Sequence, residues 1–137
     1  MFNGATQVLN IAPSGSSAYI NTGTSGGTVQ FGAPAQNTTN INVQGTATAT
    51  NFILSSDKRL KENIEKVCDN RVKADWKTFE LKTEKGEKRY GVIAQELEEN
   101  HPEFVKTDNE GFKSVKYIDL LIAKIAELEA RLEKLEK

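Results

Sequence analysis

Residues 1–55 contain no Asp, Glu, Lys, Arg or His; all 18 basic and 19 acidic residues lie in 56–137. The chain therefore joins two polymers of different physical character at Ser55–Ser56. The first half holds 7 of the 10 glycines, with many Thr, Asn, Ser and Ala. Its apolar residues alternate locally, as in Thr28-Val29-Gln30-Phe31, Ile41-Asn42-Val43-Gln44 and Thr46-Ala47-Thr48-Ala49-Thr50. Alternation with Thr, Val, Ile and Phe predicts short strands, and Thr24-Ser25-Gly26-Gly27 predicts a turn. With 21 apolar residues in 55, the segment is too hydrophobic for a Gly/Ser linker. It also lacks the high net charge usual in disordered chains. An isolated uncharged sheet would expose unprotected edges. Several copies that pair with one another would close them, so the expectation is the β-rich end of an intertwined fibre. A flexible linker and an ordinary monomeric β unit are the alternatives. Fibre-like sequence directly after Met1 suggests the C-terminal piece of a longer protein.

Composition narrows the function classes. A formal net charge of −1 argues against a nucleic-acid partner, which phosphate neutralisation would require to meet a basic excess. No apolar run approaches the roughly 18 residues of a transmembrane helix, and MFNGATQVLN lacks the basic start and apolar run of a signal peptide. No membrane insertion is expected. One cysteine, Cys68, excludes an intrachain disulfide and a cysteine-rich zinc site. One histidine, His101, makes a His-based metal site or a Ser-His-Asp triad improbable; neither metal nor cofactor is expected. Gly86, Gly91 and Gly111 are isolated and form no phosphate-cradling loop.

The charged half reads as α+β. Leu60, Ile64 and Val67 at i, i+4 and i+7 predict an amphipathic helix over 58–67, capped by Ser56 or Asp57. Residues 76–82 and 89–93 read as two strands joined by a turn at 84–87, and 94–99 as a short helix stopped before Pro102. Residues 104–107 and 112–115 make a second hairpin around Asp108-Asn109-Glu110-Gly111. His101 follows the short helix, where its interaction with the helix dipole is the expected role. A heptad closes the chain, with Ile118, Ile125 and Leu132 at a and Leu121, Leu128 and Leu135 at d. Lys124 and Arg131 at g, with Glu129 and Glu136 at e, suit a parallel coiled coil over 118–136. The alternative is a monomeric helix that docks its stripe on the hairpins. Ile at a with Leu at d leans towards dimers.

Nucleophilic chemistry without histidine needs another base. Lysine can serve when neutral, but with an ordinary pKa near 10.4 only about one in 10³ is neutral at pH 7. Lys61, in the first turn of the expected helix and two residues from Arg59, has a positive field available. In one continuous helix, residues five apart point about 140° apart. Ser56 would meet Lys61 only through a bent-back segment, or if Lys61 came from a neighbouring chain. Spacing alone favours helix capping.

Ser56-Asp57-Lys58-Arg59-Leu60-Lys61 resembles the Ser-Asp-x-Arg-x-Lys opening of the intramolecular chaperone domain that ends bacteriophage endosialidase tailspikes, some tail fibres and some neck appendages. A related domain occurs in myelin regulatory factor. Tyr90-Gly91-Val92-Ile93-Ala94-Gln95-Glu96 is similar to the family's Tyr-Gly-hydrophobic-hydrophobic-Ala-Gln-Glu signature. Pro102-Glu103-Phe104-Val105, Val115-Lys116-Tyr117 and the heptad tail resemble further family stretches, so the likeness runs in order through 56–137. It implies a homotrimer in which the domain directs the folding of an upstream β-helical fibre and then cuts itself off. The implied scissile bond is Ser55–Ser56. The implied enzyme is a single-turnover, self-cleaving serine endopeptidase with Ser56 as nucleophile and Lys61 as general base. Arg59 would orient Lys61 or lower its pKa, and Asp57 would cap. The implied partners are two further copies, the fibre of the same polypeptide and, for the mature fibre, a host-surface receptor. The implied setting is a virion appendage assembled in the bacterial cytoplasm. The other reading is a trimerisation module that never cuts. A DNA-binding factor is disfavoured by the uncharged flank.

Overall fold

The computed structural model describes residue 31, residues 41–67 and residues 71–137. The chain divides into two units, Met1–Leu54 and Ser55–Lys137. The expected turn at 24–27, the strand over 28–31 apart from Phe31, and Cys68 lie outside the described residues. Residues 41–54 contain no strand and every one is exposed. The alternation at Ile41–Gln44 and Thr46–Thr50 thus forms no ladder in a single chain. Period-2 patterning makes a sheet only where another strand supplies hydrogen-bond partners, and among the described residues none pairs with 41–54.

In the second unit, two antiparallel hairpins and two helices follow a short helical turn. Strand β1 is Lys77–Phe79, β2 Arg89–Gly91, β3 Val105–Thr107 and β4 Lys113–Val115; helix α1 is Ala94–Asn100 and α2 Tyr117–Leu135. β1 pairs with β2 in the register Lys77–Gly91, Thr78–Tyr90 and Phe79–Arg89. β3 pairs with β4 as Val105–Val115, Lys106–Ser114 and Thr107–Lys113. This is the α+β class expected, with the hairpins where the sequence placed them.

Local chemistry explains the turns. Gly86 and Gly111 both sit at φ 88°, a conformation that costs glycine little. Asp108 Oδ1 accepts the amides of Glu110 and Phe112, each at 2.9 Å, closing the second hairpin with one side chain. Helix α1 consists of good helix formers with Glu96 at its positive end. It ends at His101, and Pro102 opens a 3₁₀ turn over Pro102–Phe104.

The core is small. Val72, Val92, Leu97 and Leu120 are its buried hydrophobics, with Ala74, Phe104, Val105, Val115 and Ala123 packed against them. Leu120, fully buried, and Ala123 place one face of α2 on this core. The heptad stripe lies on another face: Ile118, Leu121, Ile125, Leu128, Leu132 and Leu135 are all exposed. The alternative reading, a helix docking its a/d stripe on its own hairpins, is therefore not what the chain does.

Two tethers bind the segment before β1 to the rest. Buried Glu127 accepts the Val72 amide at 2.9 Å, while Lys124 Nζ donates to the Val72 carbonyl at 3.3 Å. Side chains of α2 thus satisfy both backbone groups of Val72, as a neighbouring strand would. His101 Nε2 accepts the next amide, that of Lys73, at 2.9 Å, and its Nδ1 lies 3.0 Å from Glu103 Oε1. Lys124 at 2.8 Å and Arg131 at 3.4 Å also converge on Glu127. In one chain these g-position cations face Glu127 rather than a partner's Glu129 or Glu136.

Candidate functional site

The helix expected over 58–67 is not formed. Only Lys58–Leu60 is helical, as one 3₁₀ turn, and Asn63 takes φ 50°. Leu60, Ile64 and Val67 are all exposed. An amphipathic stripe of ten residues is too short to hold a helix unless its apolar face is buried, and among the described residues nothing covers these three side chains.

The turn that does form organises the reactive residues. Asp57 caps it, accepting the Arg59 amide at 2.9 Å. The same carboxylate takes a two-pronged contact from the Arg59 guanidinium, Nε at 3.1 Å and Nη2 at 2.7 Å. That guanidinium, then the backbone amide, holds the Asp57 carboxyl below the ordinary carboxylate range and raises Arg59 in return. Leu60 N–H donates to Asp57 O and Lys61 N–H to Lys58 O, both at 3.1 Å. Lys61 then leaves the turn in an extended conformation, φ −124° and ψ 145°. The tight 3₁₀ winding folds the chain back, and Lys61 Nζ lies 2.7 Å from Ser56 Oγ.

Four residues singled out from the sequence are thus brought together: Ser56 with Lys61, and Asp57 with Arg59. The bent-back arrangement within one chain is the one observed. Arg59 faces Asp57, which balances its charge, so the field expected from Arg59 on Lys61 is largely offset. Ser55, Ser56 and Lys61 are all exposed. A hydroxyl 2.7 Å from an amine is a proton-transfer geometry.

Sequence reasoning did not foresee Glu127 and His101 as anchors of Val72 and Lys73. Glu127 occupies heptad position c, where a charged residue reads as solvated, and its partners lie 55 residues away. His101 was placed beside a helix end, which is correct, but its long-range partner left no sequence signal. Tyr117 was quoted only within a motif. Its Oη accepts the Val92 amide at 3.1 Å, and a Cβ on Gly91 would stand 2.2 Å from that oxygen. The glycine of the Tyr90-Gly91 pair is thus required by the close approach of α2.

Among the described residues, no group of three or more His, Cys, Asp or Glu could hold a metal ion, and no helix is long and apolar enough to cross a membrane.

Residues 56–106 match the model of a peptidase family described as the chaperone of endosialidase. The matched span begins at Ser56 and includes the Ser56–Lys61 turn, both strands of the first hairpin, α1 and the start of β3. The heptad tail lies beyond it. No curated protein and no solved structure matches the chain.

Proposed function

We propose, from the match of residues 56–106 to the chaperone-of-endosialidase model, that this chain is an intramolecular chaperone of a phage fibre: it trimerises, directs folding of its upstream fibre and then cuts at Ser55–Ser56. The observation that carries the cleavage reading is the 2.7 Å contact between Lys61 Nζ and Ser56 Oγ at the charge boundary.

Lys61, as the neutral amine, takes the Ser56 Oγ proton while Oγ attacks the carbonyl carbon of Ser55. The tetrahedral adduct collapses, the C–N bond breaks, and Lys61 returns the proton to the departing Ser56 amine. Ser55 is then esterified to Ser56 Oγ. Water hydrolyses the ester, leaving a carboxylate on Ser55 and a free hydroxyl on Ser56. Asp57 and Arg59 are positioning residues, because their mutual contact shapes the turn that returns Lys61 to Ser56.

The exposed heptad face supports self-association. Leu120 and Ala123 dock α2 on its own core, so the a/d stripe is left to other copies. An apolar stripe this long, exposed on a small domain, marks an interaction surface. Assembly also supplies the reason for a removable domain. Long β strands with non-local pairing register slowly and aggregate easily, and tethering three ends raises their local concentration to roughly the millimolar range. Cleavage that waits for assembly would release the chaperone only from a completed trimer. In the single chain the pair is in place on an exposed segment, which fits a site that acts only after association.

Measuring cleavage rate against chain concentration tests this. The expected result is a rate that rises with the trimer fraction and is lost in Ile125→Asp. A first-order rate unchanged by Ile125→Asp would contradict it, and no cleavage in a verified trimer would leave the non-cleaving trimerisation module.

A further inference from the structure

One apolar cleft of about 420 Å³ opens between the first hairpin and the start of α2. Trp76, Tyr90, Gly91, Tyr117 and Leu121 form its apolar wall. Trp76 and Tyr90 are 46% and 77% exposed, so the rings stand open to water. Leu121 is also heptad position d, and Ile118 and Ile122 beside it are 56% exposed. The cleft is thus continuous with the stripe that faces other copies.

The same chain leaves a second apolar surface without cover. Leu60, Ile64 and Val67 are 75%, 62% and 56% exposed, although their spacing is that of one buried face. Leu60 lies between Arg59 and Lys61 in the reactive turn. The chain's own stripe has the highest effective concentration for its own cleft, yet both are open in the single chain.

We propose that the Trp76–Tyr90–Tyr117–Leu121 cleft receives Leu60 and Ile64 of a second copy of this chain. Three observations favour that occupant over an unrelated partner. The cleft adjoins the heptad face, so association through α2 brings a second copy to its mouth. The stripe is aliphatic, the cleft's aromatic and leucine side chains stand beside only two polar residues, Lys77 and Thr78, and both surfaces are uncovered in the single chain. Seating Leu60 also brings the neighbouring copy against Lys61, the next residue along the turn. The neighbour's cleft thus completes the environment of the Ser56–Lys61 pair and makes cleavage depend on the partner copy. This proposal rests on the self-assembly reading above.

Trp76 is the only tryptophan in the chain and reports the cleft directly. In full-length Ser56→Ala protein, which stays uncut, Trp76 emission and acrylamide quenching are followed as concentration drives assembly, with mass measured by light scattering. The expected result is a blue shift and loss of quenching on association. Both are absent when Leu60→Asp and Ile64→Asp are added, although that variant still associates through α2. Equal quenching in monomer and trimer overturns the proposal. So does equal protection in the Leu60→Asp/Ile64→Asp trimer, or a chain that never associates.

Mixing separates the two claims. A Trp76→Ala/Tyr90→Ala chain with intact Ser56 is expected to cut only when assembled with Ser56→Ala chains, which lend it an intact cleft. Cutting by the Trp76→Ala/Tyr90→Ala chain alone overturns the docking and leaves self-cleavage standing. Protection of Trp76 in an unmutated trimer that never cuts supports the docking and overturns self-cleavage.

Discussion

The segment 55–67 and the body 71–137 solve opposite problems. In the body, hairpins, α1 and one face of α2 surround four buried hydrophobic side chains. Among the described residues, every buried side-chain nitrogen and oxygen has a hydrogen-bond partner. In the segment, every residue is exposed, apolar side chains included, and the single ordered feature is a three-residue turn closed by Asp57. Yet the segment carries the Ser56–Lys61 contact. The packed core and that contact thus lie in different parts of the chain.

This contrast can be broken from either side. The largest effect is expected at the interface: Ile125→Asp should leave a folded monomer with unchanged circular dichroism and no cleavage product. Loss of fold in that variant would mean that the heptad stripe belongs to the body after all.

Leu120→Ala attacks the body alone. Truncating a fully buried leucine costs about 2–5 kcal/mol, and chemical denaturation should show a loss of that size. A loss under about 1 kcal/mol would show that α2 does not depend on this core.

A smaller effect is expected at Gly91. Its Cβ in Gly91→Ala would lie 2.2 Å from Tyr117 Oη and 3.3 Å from Phe79 Cε1, and overpacking of this kind costs about 1–3 kcal/mol. Adding Tyr117→Phe removes the nearest atom and should recover part of the loss. A double variant no better than Gly91→Ala would rule out the hydroxyl as the obstacle.

The smallest effect is acidic. Glu127 is held below the ordinary carboxylate range, first by Lys124 and then by the Val72 amide. A carboxylate with a lowered folded pKa contributes fully above its unfolded value near 4.3 and loses that contribution as pH falls through the folded value. Stability should be flat near neutrality and decline below about pH 4.5. Asp57 and Glu103, lowered by the Arg59 side chain and by the Glu103 amide respectively, act in the same window. Glu127→Gln should reduce the decline, and an unchanged acid profile would remove Glu127 from that account.

The body was largely readable from the sequence because its signals are local. Asp108 and Gly111 set one turn, Gly86 the other, and Pro102 ends α1. The long helix was expected over 118–136 and spans Tyr117–Leu135. The unreadable parts depend on distance in sequence. Which face of α2 docks was hidden, because Leu120 and Glu127 lie off the stripe that dominates the pattern. The 58–67 helix failed because amphipathic spacing states only what a segment could bury, and among the described residues Leu60, Ile64 and Val67 are left uncovered. The reactive pair was legible as a motif, but its geometry was not. The 3₁₀ turn that joins Ser56 to Lys61 came from a cap and a tight winding, where the spacing had suggested a regular helix.

We propose that Ser56 and Lys61 sever the Ser55–Ser56 bond. The most direct test of this is an intact mass under denaturing conditions of the purified full chain, beside Ser56→Ala and Lys61→Ala. Two fragments, 1–55 and 56–137, are expected from the unmutated protein and one uncut species from each variant. A single intact species from all three, after long incubation of a verified trimer, would contradict it.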